Sequence, residues 1–120
     1  MNEYAEGLKR RTRQFALDVI ALAGTFPTGE PGRTVGTQLI RSATSVGANY
    51  RSACRGRSRA EFVAKVGIAE EESDESGYWL EIADETHLAA SKRIAPLLKE
   101  ADELTAIFAR SVITARRNRQ

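Results

Sequence analysis

Arg41-Ser42-Ala43-Thr44-Ser45-Val46-Gly47-Ala48-Asn49-Tyr50-Arg51 leads through Ser52-Ala53-Cys54 to a turnover at Arg55-Gly56-Arg57-Ser58, and the chain then runs on to Tyr78-Trp79-Leu80. Apolar residues recur at three- and four-residue steps on both sides of the turnover, which is the spacing of amphipathic helices. The stretch therefore reads as two helices and their connection. The first is expected from Thr34, a candidate N-cap, to about Cys54, with Val35, Leu39, Ala43, Val46, Tyr50 and Ala53 or Cys54 as its stripe. Gly56 suits a left-handed C-cap. Ser58-Arg59-Ala60-Glu61 fits a capping box, in which the serine and glutamate side chains each satisfy an orphan amide. The second helix continues to Ala83 or Glu85 and buries Phe62, Val66, Ala69, Ser73, Ser76, Leu80 and Ala83.

Two more helices flank this hairpin. Residues 4–25 place Leu8, Thr12, Phe15, Ala16, Val19, Leu22, Ala23 and Phe26 on one stripe before Pro27, Gly29, Pro31 and Gly32 interrupt the chain. The last helix carries Ile94, Leu97, Ala101, Leu104, Phe108, Val112 and Ala115, with Pro96 expected in its first turn, where a missing N–H costs nothing. No stretch alternates with period two. Short connections force antiparallel neighbours, so the expected fold is an all-α, antiparallel up-down-up-down four-helix bundle, a single domain over residues 1–120. No run of 18 apolar residues is present, and the first residues lack the layout of a signal peptide, so a cytoplasmic protein without membrane partners is expected. The lone Cys54 excludes an internal disulfide and a cysteine-based zinc site.

The third helix has apolar residues off its main stripe. Ile68, Tyr78, Trp79 and Ile82 lie on roughly its other side, which points to a subunit boundary in a homo-oligomer; the alternative puts Trp79 at the edge of its own core. Gly36, Gly47, Gly67 and Gly77 fall inside helices, where each costs about 1 kcal/mol relative to alanine, and they suggest close helix–helix approach.

Chemistry-bearing constellations are scarce. A di-iron bundle needs Glu-x-x-His on two helices, and this chain has one histidine, His87. Glu72 and Glu75 are instead expected to hydrogen-bond or ion-pair with Asn49, Ser42 or Arg41 and so fix helix register. No nucleophile–base set and no phosphate-cradling glycine loop exists, so neither enzyme chemistry nor a cofactor or metal is expected. Charge is the remaining signal. Residues 1–59 hold ten Lys/Arg against four Asp/Glu, and residues 60–120 hold eight against twelve. Arg41, Arg51, Arg55, Arg57 and Arg59 form one basic group, Lys9, Arg10, Arg11 and Arg13 a second, and Arg116, Arg117 and Arg119 a third. Alternating chain direction brings all three to one end of the bundle, an arrangement that suits non-specific phosphate binding to RNA or DNA. Cations at the ends of the second and fourth helices would also complement the helix dipoles. No aromatic is interleaved with the arginines, so base stacking is not indicated.

The residues Arg11-Thr12, Phe15-Ala16, Gln38-Leu39, Arg41-Ser42-Ala43, Ser45-Val46, Ala48-Asn49-Tyr50-Arg51, Ala53-Cys54-Arg55, Ser58-Arg59-Ala60-Glu61-Phe62, Lys65, Glu72, Glu75 and Tyr78-Trp79-Leu80 resemble the four helix bundle proteins of the 23S rRNA intervening-sequence type. Ser52 and Glu71 depart from that pattern, at positions where glutamate and a basic residue are common. The resemblance implies an up-and-down subunit assembled as a cyclic homopentamer. It also implies a relationship to accessory proteins of diversity-generating retroelements, which partner a reverse transcriptase and contact nucleic acid through a basic surface. No catalytic residue carries over. The function expected is a non-catalytic, oligomeric nucleic-acid-binding module with a basic end; the alternative is a protein-interaction adaptor, for example an accessory subunit for a reverse transcriptase.

Overall fold

A computed structural model describes residues 2–118. It consists of four α-helices, α1 (Glu3–Ala23), α2 (Gly32–Cys54), α3 (Arg59–Glu85) and α4 (Ser91–Arg117), with no strand among the described residues. Each helix lies backbone-close to its two neighbours, and the diagonal helices meet through long core side chains such as Tyr50 of α2 and Phe108 of α4. Later residues of one helix meet earlier residues of the next: Gly36 of α2 lies by Ala23 and Gly47 by Thr12, Ser42 bonds Ser76 of α3, and Gly77 lies by Ala101 of α4. The neighbours therefore run antiparallel in a bundle about 51 Å long and 22 Å across.

The core is the four stripes turned inward. Phe15, Val19, Leu39, Val46, Val66, Leu80, Ile94, Leu104 and Phe108 are fully buried, and Tyr50 packs on Phe108 with ring centroids 5.6 Å apart. Each such aliphatic or aromatic side chain contributes about 1.5–3 kcal/mol on leaving water. Ser42, Ser73 and Ser76 are buried among them, and each hydroxyl donates within reach: Ser42 to the Leu39 carbonyl, Ser73 to Ala69 and Ser76 to Glu72.

The helix ends differ in detail from the spacing-based reading. Asn2 caps α1 by accepting from the amides of Tyr4 and Ala5. α2 begins at Gly32, and Thr34 is not its cap: the Glu30 carboxylate accepts from the Thr34 amide and hydroxyl, doing from outside the helix what an N-cap side chain would do. Gly32 is buried because a Cβ there would collide with the carbonyl of Pro27. Gly56 does not adopt a left-handed conformation, which among the described glycines belongs to Gly29. It is required by space, since a Cβ would lie 3.1 Å from the Ala53 carbonyl and 3.3 Å from Glu61 Cβ. Ser58 caps α3 as expected, accepting from the Glu61 amide at 3.1 Å, and the Glu61 carboxylate reaches back to the Arg57 amide. Pro96 lies in the second turn of α4 rather than the first, because the helix starts at Ser91. Lys92, whose carbonyl loses its helical donor, is exposed, so water can take that place.

α3 ends in a Schellman turn. The Leu88 amide bonds the Ala83 carbonyl at 2.9 Å, the His87 amide bonds Asp84, and Leu88 is buried. His87 holds the left-handed position with φ 59°, where a Cβ is unfavourable. His87→Gly is expected to stabilise the chain by about 0.5–1 kcal/mol, read as a rise of a few degrees in Tm. The helix-interior glycines divide. A Cβ on Gly47 would lie 3.1 Å from Thr12 Oγ1, whereas one on Gly67 meets nothing within 4 Å. Gly67→Ala is therefore expected to add about 0.5–1 kcal/mol by helix propensity. Gly47→Ala should give no comparable gain in the same thermal melts, because Thr12 must move.

Candidate nucleic-acid interface

The approach of Thr12 to Gly47 brings α1 and α2 together over small residues and leaves the longer side chains on either side standing apart. Between them runs an open groove of about 430 Å³ floored by Thr12, Ala16, Gly47 and Ala48. Lys9, Arg10 and Arg13 line it from α1, and Arg51 and Arg55 from α2. Two members of the first basic group and three of the second thus share one groove, without Arg11, Arg41, Arg57 or Arg59. Lys9 is paired with Glu6 at 2.9 Å, and the hydrogen bond from Lys9 holds the Glu6 carboxyl below its usual range. Arg10, Arg13, Arg51 and Arg55 are in no ion pair among the described residues.

The other arginines are placed around the same end. Arg57 and Arg59 are exposed at the α2–α3 connection, and Arg117 is exposed at the end of α4. Arg59 and Arg116 border a second groove, between α3 and α4, with an apolar floor of Ala60, Val63 and Ala64. The third basic group therefore lies apart from the α1–α2 groove; Arg119 falls outside the described residues. Sequence reading did not single out Arg110, an exposed α4 cation at this end, nor the part of Tyr4 and Phe62, which line a further groove with it. Their sequence positions, far apart on three helices, gave no local signal.

The profile of the 23S rRNA-intervening sequence protein family matches residues 7–110. The chain belongs to that family. A solved structure from Bacteroides thetaiotaomicron, a protein of unknown function from the S23 ribosomal protein family, is 27% identical, with 90% of this chain and 96% of that chain covered and a TM-score of 0.82. A search of curated proteins finds no match. Neither similarity points to a catalytic family. No helix is long and apolar enough to cross a membrane. All five cations of the α1–α2 groove fall inside the span matched by the family profile, whereas Arg116 and Arg117 lie beyond it.

Two arginines within the family span leave the basic set. Arg41 lies near the middle of α2, about 20 Å from its C-terminus at 1.5 Å per residue, and its guanidinium bonds both Glu72 and Glu75 of α3. Glu75 raises its pKa further above the usual arginine range. Arg11 is likewise held by Glu100 at 2.7 Å and Glu103 at 2.6 Å of α4, which raises its pKa. Both are interhelical clamps, with their charge already met. The expected partnership of Glu72 and Glu75 with α2 thus falls on Arg41 alone. Ser42 accepts from Ser76, and Asn49 donates to the Ser45 carbonyl at 2.9 Å, two helical turns from the clamp.

The apolar residues singled out on α3 also divide. Trp79 and Ile82 are half-buried and pack on the subunit's own core, whereas Ile68 and Tyr78 are 37% and 54% exposed. Tyr78 meets Trp79 edge-on at 5.0 Å between centroids. The Trp79 indole donates to the Glu75 carboxylate at 2.9 Å, and that bond, followed by Arg41, lowers the Glu75 pKa. A carboxyl whose pKa is lowered on folding stabilises above its unfolded pKa and loses that contribution as pH falls through its folded pKa. Acid titration followed by emission of Trp79, the sole tryptophan, should show a step with a midpoint below 4.5 that Glu75→Gln abolishes. Because the pair is solvent-screened, the stability change should not exceed about 1 kcal/mol.

Proposed function

We propose that this family member is a non-catalytic nucleic-acid-binding module whose α1–α2 groove holds the sugar–phosphate backbone. The observation that carries this reading is the meeting of Arg10, Arg13, Arg51 and Arg55 in one groove with no ion pair among the described residues; the groove's one carboxylate, Glu6, is bonded by Lys9. Like charges brought together raise one another's energy, and a polyanion relieves that repulsion while releasing its own counterions. The groove floor is made of small side chains, so a phosphate chain can approach the helix backbones. Arg57, Arg59, Arg116 and Arg117 widen the cationic area around the same end. The family description names a 23S rRNA intervening sequence, which makes RNA the first polyanion to compare with DNA.

We further infer that subunits assemble into a ring, with five copies as the resemblance implies. Exposed Ile68 and Tyr78 on α3, with Leu17 and Ile20 exposed on α1, support a contact between copies. Repetition of the groove around a ring raises avidity for a long polyanion without any new contact. A monomeric mass by light scattering at high concentration would remove the ring.

Arg51→Glu combined with Arg55→Glu is expected to weaken binding to RNA and DNA of any sequence. It should also shallow the slope of log K against log salt by about 1.4–1.8, the loss of two phosphate contacts at about 0.7–0.9 each. Circular dichroism and assembly mass should not change, since both side chains are exposed. Unchanged affinity in the salt titration would overturn the groove's assignment.

A further inference from the structure

We infer that the groove between α1 and α4 at the basic end seats an unpaired nucleobase, so that the preferred ligand is a single strand rather than a duplex; this rests on the polyanion reading above. α1 packs closely on α2 but only lightly on α4. The gap left over is a groove of about 500 Å³ lined by Tyr4, Phe62, Ile107, Arg110 and Ser111. Tyr4 is 63% exposed, and its backbone is fixed by the Asn2 cap at 2.8 Å. Phe62 is half-buried, packed against the core. Among the described residues the ring–ring contacts are Tyr50 with Phe108 and Tyr78 with Trp79, so the Tyr4 and Phe62 rings are not stacked on each other.

Two aromatic side chains unstacked on each other, beside an exposed arginine, are the elements that hold a base in sequence-tolerant single-strand binding. A ring stacks on the base, and the guanidinium meets either the base face or the adjoining phosphate. The placement relative to the cationic groove favours the same occupant. At 3.6 residues per turn, Lys9, Arg10 and Arg13 point roughly 120–180° away from Tyr4, on the other flank of α1. α1 is therefore the wall between the two grooves, about 10–12 Å thick. A strand with its phosphates in the α1–α2 groove lays a base against Tyr4 by crossing the first turns of α1, past the carboxylates of Glu3 and Glu6. A duplex presents no base face there, and extruding one costs a few kcal/mol.

The test uses the full chain and three fluorescent probes of equal length: a single-stranded oligonucleotide, the same backbone with abasic sites, and the corresponding duplex. The wild-type protein is expected to bind the base-bearing strand more tightly than the abasic one, by about 5- to 150-fold for a seated base. Tyr4→Ala should erase that preference while leaving abasic affinity and the salt slope as they were, and Tyr4→Trp should retain it. Equal wild-type affinity for the base-bearing and abasic strands, or an equal loss on both in Tyr4→Ala, would overturn the nucleobase seat and leave the phosphate groove standing. So would a change of assembly mass in Tyr4→Ala, which would mean that a second copy covers the groove. Failure of all three probes to bind at low salt would overturn the polyanion reading itself.

Discussion

The small side chains along the α2–α3 seam determine how near the two central helices lie, and the remaining packing follows from that separation. Ser42 on α2 meets Ser76 on α3, and Ala43, Ala69 and Ser73 are small buried residues on the same two helices. Interaxial distance depends on side-chain size at the contact, so such a seam permits close approach. It works only because the hydroxyls are satisfied locally. Ser42 and Ser73 return their protons to carbonyls three and four residues back, and the single Ser76 proton is shared between the Glu72 carbonyl at 2.8 Å and the Ser42 hydroxyl at 3.0 Å. An unsatisfied buried hydroxyl would cost about 1–3 kcal/mol. Across the outside of the seam, Arg41 closes on Glu72 and Glu75 and opposes sliding of one helix along the other.

That pairing governs the position of the cationic groove. With α2 fixed against α3, α1 docks on the face of α2 that still offers a small-residue contact, Gly47 against Thr12. Arg51 and Arg55 follow Gly47 by four and eight residues, one and two turns toward the C-terminus, and so project beside α1 instead of beneath it. Arg10 and Arg13 flank Thr12 in the same way. The cationic groove is thus a consequence of where two backbones meet. The same choice draws α1 toward α2 and leaves the opening toward α4, in which Tyr4 and Phe62 stand.

The four helices, their inward stripes and the Ser58 cap were legible in the sequence because each is encoded by residues within a few positions of one another. The misreadings share a different origin. Gly56 and Thr34 carry residue types common at helix ends, yet their roles were decided by the space near Glu61 and by Glu30 reaching across. Arg41 fits the basic group by type and spacing. Its pairing with Glu72 and Glu75, one of the alternatives the sequence offered, takes it out of that group. Trp79, off the main α3 stripe and expected at a subunit boundary, is half-buried against the chain's own core, and its indole donates to the Glu75 carboxylate that Arg41 also holds. The apparent lack of aromatics among the arginines was true of the sequence order. In three dimensions Tyr4 and Phe62 line one groove with Arg110, an arginine outside those groups.

Helix dipoles account for part of the cation cluster and not for the rest, and the remainder is the informative portion. The basic end holds the C-termini of α2 and α4, whose partial negative charge favours Arg51, Arg116 and Arg117. It equally holds the N-termini of α1 and α3, where cations are disfavoured. Arg59 is the first residue of α3, and Glu61 is the acidic residue in that first turn. Arg10 and Arg13 lie beyond the first turn of α1, outside the range over which the dipole acts. They gain nothing from it and face Arg51 and Arg55 across the groove. Glu6, the carboxylate of the groove, is bonded by Lys9, and none of these four arginines is clamped as Arg11 and Arg41 are. The contrast between clamped arginines within the bundle and unpaired ones in the groove argues for a ligand that brings the missing negative charge with it.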